Sequence, residues 1–309
     1  MKKMKIFLSV LILFTSFTCT DFVSGVVPYT DDDMFIKKGK DSFEFYSDSL
    51  LNGAKINVFT YLPSMYNSDS KILFVMHGVN RNASEYRDQW SEIAERNNAL
   101  LIVPEFSTKN FPEDVNYNMG NMFVMGKNDT LISSLPESEW SYSFIEPIFD
   151  SVKSKMKNKS KDYLLFGHSA GAQFVHRFLF FVPKARILKA VSANAGWYTL
   201  PDFETLFPYG LKKTNMNVGD LKSVFKNKEA IIMLGEADTS TTQSTLRRTP
   251  EAMIQGKNRW ERGHYFFEKC KEEAAKLNTE FNWQIKTAPG VGHSNTQMSA
   301  FAESVLFKN

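Results

Sequence analysis

The stretch Tyr163-Leu164-Leu165-Phe166-Gly167-His168-Ser169-Ala170-Gly171-Ala172-Gln173-Phe174-Val175 decides how this chain is read. Its first four residues form a short apolar run, as expected of a strand buried on both faces of a parallel sheet, and Gly171 to Phe181 reads as helix. Between them lies a Gly-x-Ser-x-Gly pattern. Alone it is a weak signal. At a strand-to-helix turn, however, it places Ser169 on a strained elbow with its hydroxyl projecting at the sheet edge. Small neighbours are needed there, because bulky ones would collide with the adjacent strand and helix. The helix N-terminus after Ser169 also offers free backbone N–H groups toward a developing oxyanion.

Outward from this elbow, strand and helix signals alternate. Phe43–Tyr46 and Ile56–Tyr61 read as antiparallel strands, and Ile72–Met76 as a buried parallel strand. Helix is expected over Ala83–Asn97, Trp140–Met156 and Pro250–Leu277, with a terminal helix carrying Met298, Phe301, Ala302, Val305 and Leu306 on one face. Further strands are expected at Ala99–Val103, Ile187–Ser192, Ala230–Leu234 and Phe281–Lys286. The pattern implies an α/β sandwich: a mostly parallel central sheet, antiparallel N-terminal strands and helices on both faces. Two long segments, Glu105–Glu139 and Gly196–Lys226, break the alternation and are expected over the carboxyl edge of the sheet, where ligands bind in such folds.

A serine hydroxyl needs a base, and the base needs an orienting acid. Of five histidines, His168 is expected to face away from the elbow, and His176 and His264 lie inside helices. His293 stands in Pro289-Gly290-Val291-Gly292-His293-Ser294, a loop just after the last strand, which brings an imidazole over the sheet edge. The strand Ala230–Leu234 runs into Gly235-Glu236-Ala237-Asp238, so Asp238 is the expected acid, with Glu236 as its competitor. The order Ser169, Asp238, His293 is that of one of the known serine triads. The turn His77-Gly78-Val79-Asn80-Arg81 follows the first parallel strand. It supplies a second oxyanion donor, so the donors are assigned to the Val79 and Ala170 backbone N–H groups. Asn80, Trp197 and Tyr198 are candidate substrate contacts, the last two as an aromatic wall.

These elements (His-Gly-Val-Asn, Gly-His-Ser-Ala-Gly, Gly-Glu-Ala-Asp and Gly-Val-Gly-His) resemble the α/β-hydrolase superfamily over nearly the whole mature length. Val103–Phe106 and the helix with Gln255-Gly256, Arg259, Arg262-Gly263 and Phe266 look most like secreted esterases of the polyhydroxybutyrate depolymerase and feruloyl esterase type. Those enzymes often carry a cysteine where this chain has Val79. The resemblance implies ester hydrolysis through an acyl-enzyme on Ser169, with His293 as base, Asp238 orienting it, and neither metal nor organic cofactor. A peptidase with the same triad, or a surface protein using the fold only for binding, are the competing readings.

The remaining features concern address and charge. Lys2, Lys3 and Lys5 precede an apolar run, Ile6–Phe14, too short to span a bilayer, so residues 1–20 read as a secretory signal. Cys19 just after that run leaves two routes open, a lipid anchor at the cell surface or release as a secreted or periplasmic protein. Residues 21–40 read as a leader and 41–309 as one hydrolase domain. Two cysteines, Cys19 and Cys270, exclude a disulfide framework and a thiolate zinc cluster; Cys270 is expected half-buried on a helix. With 37 Lys+Arg against 34 Asp+Glu, the net charge of +3 suggests no nucleic-acid partner. The three lysines of the signal account for that excess, so the mature chain is formally neutral and an uncharged ester, small or polymeric, is the expected substrate.

Overall fold

A computed structural model describes residues 35–308. The signal reading, with Lys2, Lys3, Lys5 and Cys19, and most of the leader lie outside the described residues. Strands β1 (Gly39–Phe45) and β2 (Ile56–Leu62) lead into β3 (Ile72–Met76), α1 (Ala83–Arg96) and β4 (Leu100–Pro104). A hairpin of β5 (Phe123–Met125) and β6 (Leu131–Ser134) precedes α2 (Ile145–Lys155), β7 (Tyr163–His168) and α3 (Ala170–Phe181). Then follow β8 (Ile187–Ala193), α4 (Val218–Asn227), β9 (Glu229–Gly235), α5 (Pro250–Ile254), α6 (Arg259–Lys276), β10 (Trp283–Ala288) and α7 (Asn295–Leu306).

Eight strands make one sheet in the order β1-β2-β4-β3-β7-β8-β9-β10. β1 pairs antiparallel with β2, and β2 antiparallel with β4; every later pairing is parallel. The apolar runs are continuous because both sheet faces are covered. In β3, Leu73 and Val75 face α1 and α7, packing with Trp90, Ile93 and Met298, while Ile72, Phe74 and Met76 face the opposite layer of α2, α3, α4 and α6. Each such leucine or phenylalanine contributes about 1.5–3 kcal/mol by leaving water. The order β4-β3-β7 reverses direction at β3, which opens a crevice beyond the carboxyl ends of β3 and β7. Met76 pairs with Gly167, so the His77-Gly78 turn and the Ser169 elbow emerge side by side.

Four local expectations change. The single helix over Pro250–Leu277 is two, α5 and α6. Gly256 adopts φ +142°, and a Cβ there would come within 2.5 Å of Glu261 Cβ. Asn258 then caps α6 by accepting the Glu261 N–H at 2.9 Å. Within Gly196–Lys226 a helix does form. The Asn217 side chain caps α4, whose Leu221, Val224 and Phe225 are buried. Within Glu105–Glu139 the hairpin of β5 and β6 forms its own two-stranded sheet. Cys270 on α6 is fully buried rather than half-buried.

The glycines of the elbow are spatial necessities. A Cβ on Gly171 would lie 2.0 Å from the Met76 carbonyl oxygen, and one on Gly167 would lie 2.2 Å from that of Gly171. Both obstructions are backbone, which cannot swing aside. Gly171→Ala is therefore expected to cost about 1–3 kcal/mol or more, read as a lower urea midpoint at unchanged slope. A wild-type midpoint would show that β3 and α3 are not in this contact.

Candidate active site

Ser169 has φ +59° and ψ −115°, a backbone conformation that β-carbon-bearing residues rarely take, between the end of β7 and the first turn of α3. Its N–H donates to the Ala193 carbonyl at 3.0 Å, and its own carbonyl accepts from the Gln173 N–H at 3.1 Å. The elbow is thus pinned to β8 on one side and to α3 on the other.

His293 and Asp238 reach this elbow from loops that are tied together. The Ala237 N–H donates to the Val291 carbonyl at 2.9 Å, and the Glu236 N–H to the Ala288 carbonyl at 3.1 Å. Asn194, buried at the end of β8, accepts the Gly235 N–H at 2.7 Å and donates to the Gly292 carbonyl at 3.1 Å. As a result His293 Nε2 lies 3.0 Å from Ser169 Oγ, while His293 Nδ1 donates to Asp238 Oδ2 at 2.7 Å. Asp238 is buried and the imidazole is 20% exposed, enough for a substrate to reach it. Glu236, the competing acid, points to solvent and accepts from Thr287 Oγ1 at 2.9 Å. The structure therefore brings Ser169, His293 and Asp238 into one hydrogen-bonded chain and leaves Glu236 out.

Among the described residues, neither the Val79 nor the Ala170 backbone N–H has a hydrogen-bond acceptor. Two unspent donors beside a serine hydroxyl are what an oxyanion requires. The turn that carries Val79 is held from below by His77. The Phe106 N–H donates to His77 Nε2 at 3.1 Å, so the proton sits on Nδ1, which donates to the Gly78 carbonyl at 3.0 Å. Arg81 adds a strap, donating to the carbonyls of Phe106 at 2.6 Å and Glu113 at 3.1 Å while stacked on Tyr117.

Two cavities meet at Ser169. One, of about 300 Å³, is lined by Asn80, Tyr86, Gln89, His168, His293 and Asn295 among others. The other, of about 170 Å³, is lined by Asp114, Asn118, Ala170, Gln173, Trp197, Arg247 and Arg259. Val79 and Thr245 border both. A larger cleft of about 670 Å³ lies between the Asn128–Leu131 turn and the Glu204–Lys213 segment, and Ser169, His293 and Asp238 are all absent from its lining.

Of the candidate substrate contacts, Asn80 and Trp197 line the cavities at Ser169. Tyr198 does not: it is fully buried and stacks on Phe266 at 4.3 Å, because its backbone is clamped by Gln255 on both its N–H and its carbonyl. His168 is also corrected. It does not face away but packs against the His293 ring, centroids 4.6 Å apart, and shares a hydrogen bond of 3.1 Å with the Tyr86 hydroxyl. His176 bridges the Ala172 carbonyl and the Thr199 N–H inside the core, and His264 folds back on Trp260.

Sequence reasoning missed Asp114, Asn118, Gln173, Thr245 and Arg247 as lining residues and Asn194 as a clamp. Arg259 was legible only as part of a helix motif. Its guanidinium lies 3.7 Å from Asp238 Oδ1, the carboxylate oxygen that His293 does not use. It also donates to Gln243 and, at 3.2 Å, to Thr245 Oγ1. One arginine thereby joins the acid to the loop bordering both cavities.

Comparison with known proteins decides the family. No family model matches the chain, and no curated protein does. Among solved structures, poly(aspartic acid) hydrolase-1 from Sphingomonas sp. KT-1 is 40% identical, covering 88% of this chain and 100% of that one, with a TM-score of 0.83. LpqC, a poly(3-hydroxybutyrate) depolymerase from Bordetella parapertussis, is 31% identical over 87% and 89%, with a TM-score of 0.81. The chain belongs to the α/β-hydrolase superfamily of serine hydrolases. The fluorophosphonate-binding serine hydrolase FphF of Staphylococcus aureus, 16% identical with a TM-score of 0.57 over 88% of this chain and 99% of that one, shares the fold.

Three histidines give this hydrolase a defined acid sensitivity. Burial pushes His77 down to about 3 and holds His168 and His176 well below the usual value. Each stays neutral when folded and takes a proton when unfolded. Their contribution is therefore complete above about pH 6.5 and is lost as the pH falls below that value. The urea midpoint should fall steadily from about pH 7 to about pH 4.5, beginning above the range in which carboxylates titrate. A midpoint flat across that interval would contradict the buried neutral state.

Proposed function

We propose that this hydrolase cleaves carboxylic esters through an acyl-enzyme on Ser169. The observation that carries the reading is the chain from Ser169 Oγ through His293 to Asp238, set beside two unpartnered backbone amides. Nε2 of His293 takes the hydroxyl proton as Ser169 attacks the carbonyl carbon. The Val79 and Ala170 N–H groups receive the oxyanion, and Asp238 stabilises the imidazolium. His293 then gives the proton to the leaving alcohol as its C–O bond breaks. A water molecule, deprotonated by His293, attacks the acyl-enzyme, and collapse of that second oxyanion returns Ser169.

The 40%- and 31%-identical solved structures are both named for the breakdown of polymers, which favours a polymeric substrate over a small one. Amide cleavage is a second reading. It is supported by the 40%-identical relative, since poly(aspartic acid) is joined by amide bonds and the same acyl-enzyme can form from them. We propose export as well, by secretion or by a lipid anchor at Cys19, on the strength of the basic and apolar segments before that residue.

The test is a panel of 4-nitrophenyl esters beside hydroxyalkanoate, feruloyl and aspartyl oligomers. Ester turnover is expected, with Ser169→Ala reducing kcat by about 10⁴-fold or more and Asp238→Asn by about 10⁴-fold. Wild-type turnover by Ser169→Ala would overturn the mechanism. Cleavage of the aspartyl oligomer with all esters inert would favour the amide reading.

A further inference from the structure

The two cavities at Ser169 are chemically unlike, and His293 tells them apart. The base that protonates the leaving group must stand on the leaving-group side. His293 lines the cavity that holds His168 and Asn295, so that cavity takes the alcohol; the other, next to Ala170 and Gln173, takes the acyl chain.

The acyl cavity is walled by arginine. Arg247 and Arg259 line it directly, together with one carboxylate, Asp114. Trp197 on its floor is flanked by two guanidiniums, with Arg177 Cζ 4.2 Å and Arg247 Cζ 4.5 Å from the ring centroid. Arg262 lies behind, donating to the Gly196 carbonyl at 2.7 Å and the Arg247 carbonyl at 2.8 Å.

Three carboxylates stand against the four guanidiniums. Asp129 pairs with Arg247, and Asp114, half exposed to water, lies 3.8 Å from it. Asp238 lies near Arg259 but is bonded to His293. Among the described residues, Arg177 and Arg262 have no carboxylate within 4 Å, and Arg177 Nη2 and Arg259 Nε are buried donors without acceptors. Burial and like-charged neighbours push Arg177 and Arg262 down to about 10, as expected where positive charge is packed without full compensation. Arg247, with 19% of its side chain exposed, is the member of the group that a ligand can reach.

We infer that the acyl cavity recognises a carboxylate carried on the acyl part of the substrate, with Arg247 as the residue that reads it. The inference rests on the ester-hydrolase reading above and narrows its substrate to acyl groups bearing a second, ionised carboxyl. A charge-assisted bond from a guanidinium to that carboxylate is worth roughly 10- to 100-fold in kcat/KM.

The experiment compares 4-nitrophenyl half-esters of dicarboxylic acids with neutral 4-nitrophenyl esters of matched chain length, on wild type, Arg247→Gln and Arg247→Lys. The readout is the ratio of the two kcat/KM values within one preparation, which does not depend on how much of a variant folds. Wild type is expected to prefer the half-esters by roughly 10- to 100-fold. Arg247→Gln should bring the ratio near unity, and Arg247→Lys should retain part of the preference. Equal or better turnover of neutral esters by wild type, or an undiminished preference in Arg247→Gln, overturns the assignment. Failure of wild type to turn over either ester overturns the ester-hydrolase reading itself.

Discussion

Everything at the site depends on how closely α3 approaches β3. Gly171 lies where any side chain would strike the Met76 carbonyl, and Gly167 where one would strike Gly171. Removing both β-carbons lets the helix begin within the sheet's own edge, and the backbone between them can turn only by passing Ser169 through positive φ. The strain is local, and the surrounding bonds to Ala193 and Gln173 hold it in place. The result is a hydroxyl that stands above the sheet, next to a helix N-terminus whose first N–H is unspent.

The other participants are arranged around that fixed point by the ends of parallel strands. The pairing of Met76 with Gly167 brings the Val79 turn alongside the elbow. Asn194, at the end of β8, takes hold of Gly235 and Gly292 together, so the acid loop and the histidine loop are set at one distance from the serine. Arg259 extends the same logic outward by joining Asp238 to Thr245, on the loop that borders both cavities. The geometry of Ser169, His293 and Asp238 and the shape of the cleft are therefore parts of one hydrogen-bonded assembly.

What could be read from the sequence was what local pattern specifies. Apolar runs such as Ile72–Met76 and Tyr163–Phe166 announced strands covered on both faces, and Ser169 and His293 stood in loops whose composition departs from their surroundings. The break between α5 and α6 escaped because Gly256 interrupts an otherwise helical pattern without a proline to mark it. Tyr198 was misplaced for a different reason. An aromatic residue in a long loop can face either way, and its direction is set by Gln255, dozens of residues downstream. The arginine wall was hidden by the same distance effect: Arg177, Arg247 and Arg259 come from three separate segments, and a net charge summed over the chain does not show where they meet.

The proposed role of Ser169, a nucleophile activated by His293, is open to direct chemical trapping. Treatment of the folded protein with a fluorophosphonate, followed by peptide mass mapping, tests it most directly. A single adduct on Ser169 is expected, forming rapidly in wild type and lost in His293→Ala. A protein that stays unmodified, or that carries the adduct on another residue, would contradict it.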